Sequence, residues 1–290
     1  MTCNDHPQMK YSENLKGSEL KMINKIDSLL GVMKCLRDPK TGCPWDQKQT
    51  FESIVPYTIE EAYEVQDAIT RGDIKALKSE LGDLLFQVVF YSEIAAEDGQ
   101  FTFSDVIDAI TEKMIRRHPH VFGDTILKDG EARTNNWEAH KAEERRERAL
   151  SERRPSSILD DVPINLPALK KAEKLTKRAA RVGFDWPRKE QVIAKIDEEL
   201  LEVKEEIYAK KPIKHIEEEI GDLLFTIANL ARHFKIDPEN ALTKTNQKFI
   251  DRFHFIESEL ADANLSCEDA GLEAMENLWQ TAKALSAKKT

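Results

Sequence analysis

One seven-residue signature occurs twice in this chain, and its neighbours recur with it. Glu80-Leu81-Gly82-Asp83-Leu84-Leu85-Phe86 and Glu219-Ile220-Gly221-Asp222-Leu223-Leu224-Phe225 agree at six of seven positions. Upstream, Glu60-Glu61-Ala62-Tyr63-Glu64-Val65 stands against Glu198-Glu199-Leu200-Leu201-Glu202-Val203. The spacing is 16 residues from Glu64 to Glu80 and 17 from Glu202 to Glu219. Further upstream still, Gly42-Cys43-Pro44-Trp45 faces Gly183-Phe184-Asp185-Trp186, and downstream Lys113 with Arg116 and Arg117 resembles Lys248 with Arg252. The order is the same in both halves, which is the mark of a tandem duplication of one unit.

The repeated unit is helical. Apolar residues recur with a helical period over Leu20–Leu36, Phe51–Arg71, Ile74–Glu97 and Ser104–Arg117, the last stopped by Pro119. The second half repeats the pattern over Ala168–Arg181, Arg188–Ala209, Ile213–Lys235, Pro238–Asp262 and Glu268–Ala287. Asp237-Pro238 is a start signal, with aspartate as cap and proline in the first turn. No segment alternates with period two, so the expected fold is all-α, built from tandem helical-bundle units. The expected organisation is a mobile tail over 1–20, a helical domain over 21–125, a charged linker over 126–167 and a second helical domain over 168–290. Within the linker, Trp137–Arg154 is dense in charge and reads as a solvated helix; Pro155, Pro163 and Pro167 follow it.

The repeated acids carry the chemistry. Glu61 and Glu64 lie three apart on one helix, Glu80 and Asp83 three apart on the next, so each pair shares a face. The break at Arg71–Asp73 is too short for anything but antiparallel neighbours, and it brings the four carboxylates together. Glu199, Glu202, Glu219 and Asp222 follow the same construction. On the second helix Leu81, Leu84, Leu85, Val88 and Val89 form an apolar arc with the acids at its edge. Crowded carboxylates raise one another's pKa and destabilise a fold unless a cation sits among them. All-oxygen ligation suits Mg²⁺, with Mn²⁺ as a substitute. Gly82 and Gly221 cost about 1 kcal/mol each inside a helix relative to alanine, which suggests close approach of another backbone or of a ligand. A carboxylate-bridged di-iron bundle needs Glu-x-x-His, and here the fourth position is aspartate.

Charge and composition narrow the partners. A net charge of −10 argues against a broad nucleic-acid-binding surface and leaves small phosphorylated ligands, reached through a metal. The four cysteines show no CxxC pair, so neither a zinc site nor a disulfide framework is expected. No run of 18 apolar residues occurs and the N-terminus has no hydrophobic signal core; no membrane association and a cytoplasmic location are the expectations. Lys195, one turn before Glu199, and Lys248 with Arg252, one turn apart, are candidate phosphate ligands. His118 and His120 flank Pro119 and read as a helix stop with local hydrogen bonds.

These motifs resemble the MazG family of all-α nucleoside triphosphate pyrophosphohydrolases. The resemblance runs from about Leu29 to Lys283. It rests on the EExxE…ExxD pattern together with Gly42-Cys43-Pro44-Trp45-Asp46, Arg116-Arg117-His118-Pro119-His120-Val121-Phe122 and Val182-Gly183-Phe184-Asp185-Trp186. It implies magnesium-dependent hydrolysis of a nucleoside triphosphate to the monophosphate and pyrophosphate, in a homodimer. It further implies Glu199, Glu202, Glu219 and Asp222 as metal ligands, Lys195, Lys248 and Arg252 on the triphosphate, and Trp279 stacked on the base. Glu198 or Glu199 is the expected base for the attacking water. Glu61, Glu64, Glu80 and Asp83 form a second set, and the C-terminal half, with the fuller ligand set, is expected to be the active one. The competing expectations are a sensor or partner-binding helical protein that holds Mg²⁺–nucleotide without hydrolysis, and a purely structural helical dimer.

Overall fold

The computed structural model describes residues 18–122 and 130–287. Among them there is no strand, and the elements are helices α1 (Ser18–Arg37), α2 (Phe51–Arg71), α3 (Ile74–Glu97), α4 (Phe103–Arg117), α5 (Pro119–Phe122), α6 (Gly130–Ser151), α7 (Ala168–Ala180), α8 (Lys189–Tyr208), α9 (Ile213–His233), α10 (Pro238–Asp262) and α11 (Cys267–Ala287). The tail expected over 1–20 lies almost wholly outside the described residues. Among the described residues no helix is long and apolar enough to cross a membrane.

The chain divides into two compact units, Met1–Trp137 and Glu138–Thr290. In the first, α2 and α3 form an antiparallel hairpin against which α1 and α4 pack through α3. Local chemistry sets its ends. Thr50 and Ser53 cap α2 reciprocally, and Gly72 at φ 69° closes it in the left-handed conformation that glycine adopts without strain. Asp73 then caps α3 by accepting from the Lys75 and Ala76 amides. Two residues thus make the whole turn. Met33, Ile54, Val89, Phe90 and Ile94 form the core, each contributing about 1.5–3 kcal/mol through burial.

The second unit repeats the plan: α8 and α9 form the hairpin, α7 packs on α9, and α10 packs on α11. Asp237 caps α10 by accepting from the Asn240 amide, with Pro238 in the first turn, as the sequence leads one to expect. The expected run over Glu268–Ala287 is not one continuous helix, because Gly271 at φ 73° breaks it near its start. The segment expected as a solvated linker is more closely held. Arg145 and Ala149 of α6 are buried, Arg148 pairs with Asp161, and Arg154 pairs with Glu152 and Asp160 at 2.6 and 2.7 Å. Those residues belong to the second compact unit.

Candidate metal centre

Each hairpin brings three carboxylates together. In the first, one oxygen each from Glu61, Glu64 and Glu80 lie within 4.8 Å of one another; in the second, Glu199, Glu219 and Asp222 do the same. The expected fourth member is a neighbour rather than part of the triad. Asp83 is exposed and acts on Glu61 and Glu80 through its charge. Glu202 is partly buried, and Glu199 and Glu219 act on it through their charges. The two halves therefore leave out different acids.

The electrostatics carry the signature of crowding. Glu61 is pushed above the ordinary glutamate range by burial first, then by Asp83, Glu64, Glu80 and Glu60. Glu80 moves the same way through desolvation, then the charges of Glu64 and Asp83. Desolvation also raises Glu202, with Glu199 adding to it and Lys195 opposing it. Hard oxygen donors at this spacing, held on two rigid helices, fit a hard divalent cation. No histidine or cysteine joins either triad, so a softer metal has no matching donor there.

The C-terminal triad differs from its twin in burial and in countercharge. Glu199 retains only 5% of its surface. Lys195 Nζ lies 2.7 Å from Glu198 Oε1 and 2.8 Å from Glu199 Oε1, and these bonds raise the lysine pKa, Glu198 contributing most. Among the described ion pairs none reaches Glu61, Glu64 or Glu80. The nearby Arg71 is paired with Asp67 at 2.7 Å.

The other expected ligands lie elsewhere in the second unit. The Arg252 guanidinium sits 5.4 Å over the Trp279 ring, and that ring packs 5.2 Å from Phe249. The structure thus brings Arg252 and Trp279 together. No described hydrogen bond or ion pair joins Lys248, Arg252 or Trp279 to the carboxylates. Arg252 Nε is buried without a hydrogen-bond partner, beside a cavity of about 180 Å³ between α10 and α11. A larger cavity of about 310 Å³ is lined by Gly183, Phe184, Asp185 and Trp186; it contains none of the triad acids, and the chemistry selects the hairpin over the volume. His118 accepts or donates locally, its Nδ1 lying 2.7 Å from the Met114 carbonyl, as a helix stop does.

Two sequence expectations need correction. An added Cβ at Gly82 or Gly221 would meet nothing within 4 Å, so among the described residues no backbone approaches either glycine, which removes the first of the two expected reasons for them. The apolar arc on α3 is divided: Val89 is buried, but Leu81, Leu85 and Val88 are exposed. Lys195, expected on phosphate, pairs with Glu198 and Glu199 in this structure. One feature escaped sequence reasoning altogether. Tyr57 takes the place of Lys195 one turn before the first triad, and its ring meets Trp45 edge-on at 5.8 Å. Extending the repeat comparison by one helical turn brings this difference out.

Duplicated antiparallel hairpins, each with a carboxylate triad, define a class of all-α proteins equipped for a hard divalent ion. The MazG nucleotide pyrophosphohydrolase domain matches residues 49–122 and again 188–255. The chain is 48% identical over 264 residues to the nucleoside triphosphate pyrophosphohydrolase of Escherichia coli K12, spanning 90% of this chain and 98% of that one. It is 44% identical over 258 residues to the nucleoside triphosphate pyrophosphohydrolase/pyrophosphatase MazG of Thermotoga maritima, spanning 89% and 95%. A Mycobacterium tuberculosis nucleoside triphosphate pyrophosphohydrolase is 40% identical over 162 residues, 54% of this chain. The chain belongs to the MazG nucleotide pyrophosphohydrolase family.

Proposed function

We propose that the chain hydrolyses nucleoside triphosphates to the monophosphate and pyrophosphate at the α8–α9 hairpin, with Mg²⁺ held by Glu199, Glu219 and Asp222 and supported by Glu202. The observation that carries this reading is the convergence of three carboxylates, one of them buried, across two helices. A divalent ion there would offset phosphate charge and acidify a water. Glu198, exposed at the edge of the triad, is placed by this reading to take the water's proton. The water opens the anhydride between the α- and β-phosphates, and pyrophosphate leaves. Lys248 and Arg252 offset the charge that builds on that leaving group, and Trp279 presents its ring to the base.

The same reading includes a homodimer. Leu81, Leu85 and Val88 on α3, and Ile220, Leu224 and Ile227 at the matching positions on α9, are exposed at helical spacing. Such stripes beside a charged site fit a partner surface, and a second copy of the chain is the occupant proposed for them.

Glu219→Gln tests the reading. The variant retains the helix and removes one negative charge from the triad, so pyrophosphate release falls by roughly a hundredfold or more while helical circular dichroism is unchanged. Full activity in this variant would remove Glu219 from the ligand set. Binding of Mg²⁺–nucleotide by the native chain without pyrophosphate release, across a panel of triphosphates, would make it a sensor instead.

A further inference from the structure

The position one turn before the acids separates the two hairpins. In the first it is Tyr57, in the second Lys195. A lysine four residues ahead of a glutamate on an exposed helix is a weak pair, in the less favourable of its two orientations. Glu199 is not exposed, however: its side chain keeps 7% of its surface while Lys195 keeps 30%. A carboxylate desolvated to that degree is costly without a cation beside it. The bond to Glu198 at 2.7 Å fixes the ammonium from the other side.

We propose that Lys195 is a built-in counter-ion, which holds the C-terminal carboxylates when no metal is present and yields its place when a triphosphate offers it new partners. A divalent ion arriving alone must displace an ammonium that then has nowhere to go. Arriving with a nucleotide, it leaves Lys195 among phosphate oxygens. Metal and nucleotide binding are thereby coupled, and the coupling is reciprocal. The first triad, with Tyr57 in the equivalent position, carries no such coupling and takes a divalent ion whether or not nucleotide is present. The inference rests on the reading of Glu199, Glu219 and Asp222 as metal ligands.

The experiment is Mn²⁺ titration followed by electron paramagnetic resonance, on the full chain carrying Glu61→Gln and Glu80→Gln so that only the second triad is counted. Titrations are run with and without a non-hydrolysable α,β-methylene triphosphate. In this background, Mn²⁺ alone binds weakly and the analogue tightens it by about tenfold. Lys195→Gln tightens the binding of Mn²⁺ alone and brings the ratio between the two titrations towards one. Lys195→Arg, which keeps the charge, retains most of the coupling. Glu198→Gln, which frees one side of the ammonium but leaves Glu199 paired, gives an intermediate value and guards against a folding defect in the Lys195→Gln chain. Mn²⁺ binding in Lys195→Gln as weak as in its parent, or weaker, overturns the counter-ion role while leaving the metal site intact. Failure of the parent to bind Mn²⁺ under either condition overturns the metal reading itself, and the counter-ion role with it.

Discussion

The α2–α3 and α8–α9 hairpins share a signature, a topology and a carboxylate triad, yet they are balanced differently. The first crowds Glu61, Glu64 and Glu80 with no cation among its described ion pairs, and sets an exposed aromatic pair, Trp45 and Tyr57, one turn away. The second buries Glu199 and supplies Lys195 to it. The loops ahead of the hairpins differ as well. Arg37 holds the first by a bidentate pair with Glu97, at 2.8 and 2.6 Å, and by donating to the Asp46 and Gln49 carbonyls. In the second, Asp185 accepts from Arg232 at 2.5 Å and lies 3.1 Å from His233 Nε2. The lesson is that the spacing of acids along two helices is enough to build a triad. The residue one turn before them decides whether that triad is neutralised from within the chain.

The sharpest way to break the comparison is to remove matched acids. If the second hairpin is the catalytic one, Glu80→Gln changes pyrophosphate release by less than about threefold, against the loss of roughly a hundredfold set out for Glu219→Gln. Steady-state turnover on one triphosphate measures both. Equal losses would mean that the two halves share the work.

Much of this was legible in the sequence, and for a physical reason. Helix period, caps such as Asp73 and Asp237, and the spacing of acids are local properties, and the helices follow them closely. Three of four acids in each half meet because i,i+3 positions on antiparallel neighbours leave little choice. What stayed hidden depends on packing between elements far apart in sequence. The arc on α3 reads as one apolar surface, but whether Leu85 or Val89 faces the core is decided by where α1 lies. The burial of Arg145 and Ala149 within a charged run is invisible for the same reason. Trp279 is recognisable as an aromatic on the last helix, while its packing on Phe249 and Arg252 is a matter of how α10 and α11 meet.

The loop anchors offer the next test. Arg37→Met takes the guanidinium from Glu97 and from the Gln49 carbonyl, and leaves the Asp46 carbonyl with only the Gln49 amide. Arg37 is nearly buried, but Glu97 is 39% exposed, so solvent recovers part of the loss and the expected cost is about 2–3 kcal/mol. Arg232→Met leaves Asp185 with His233 still beside it, and the expected cost is smaller, about 1–2 kcal/mol. Urea denaturation of the metal-free proteins measures both. A larger effect at Arg232 would reverse the proposed ranking of the two anchors.

Acidity separates the hairpins more gently. Glu61 and Glu80 hold their protons more tightly folded than unfolded, because burial and neighbouring acids raise them from 4.5. The native state therefore binds more protons between 4.5 and the raised values, and stability falls as pH rises through that window. With metal chelated, lowering the pH from neutrality through the raised values towards 4.5 raises the melting temperature from this source. Asp185 and Asp237 are held below their ordinary 3.8, so what they contribute is lost only in more acidic solution, outside that range. Glu80→Gln flattens the rise more than Glu202→Gln does, since Lys195 opposes the shift at Glu202 ahead of Glu219 and Glu198, whereas at Glu80 the opposing Arg71 acts behind Glu64 and Asp83. Melting curves in chelator across that range decide it, and an equal flattening would mean that Lys195 leaves the second hairpin no better balanced than the first.

The glycines between the acids give the smallest effect and the finest discrimination. Gly82 and Gly221 sit in helix interiors where a methyl group would meet nothing within 4 Å of this chain. Alanine at either position removes backbone freedom from the unfolded state, and each substitution is expected to stabilise its hairpin by about 0.5–1 kcal/mol. A gain at both sites in a thermal melt, with activity kept, means that the space beside the acids stays open in the working protein. If Gly221→Ala instead loses turnover while Gly82→Ala only gains stability, then something outside this chain, nucleotide or second copy, comes close to the second hairpin alone. The methyl group would then mark which of two nearly identical helices faces the ligand, a distinction that neither the acids nor their spacing can supply.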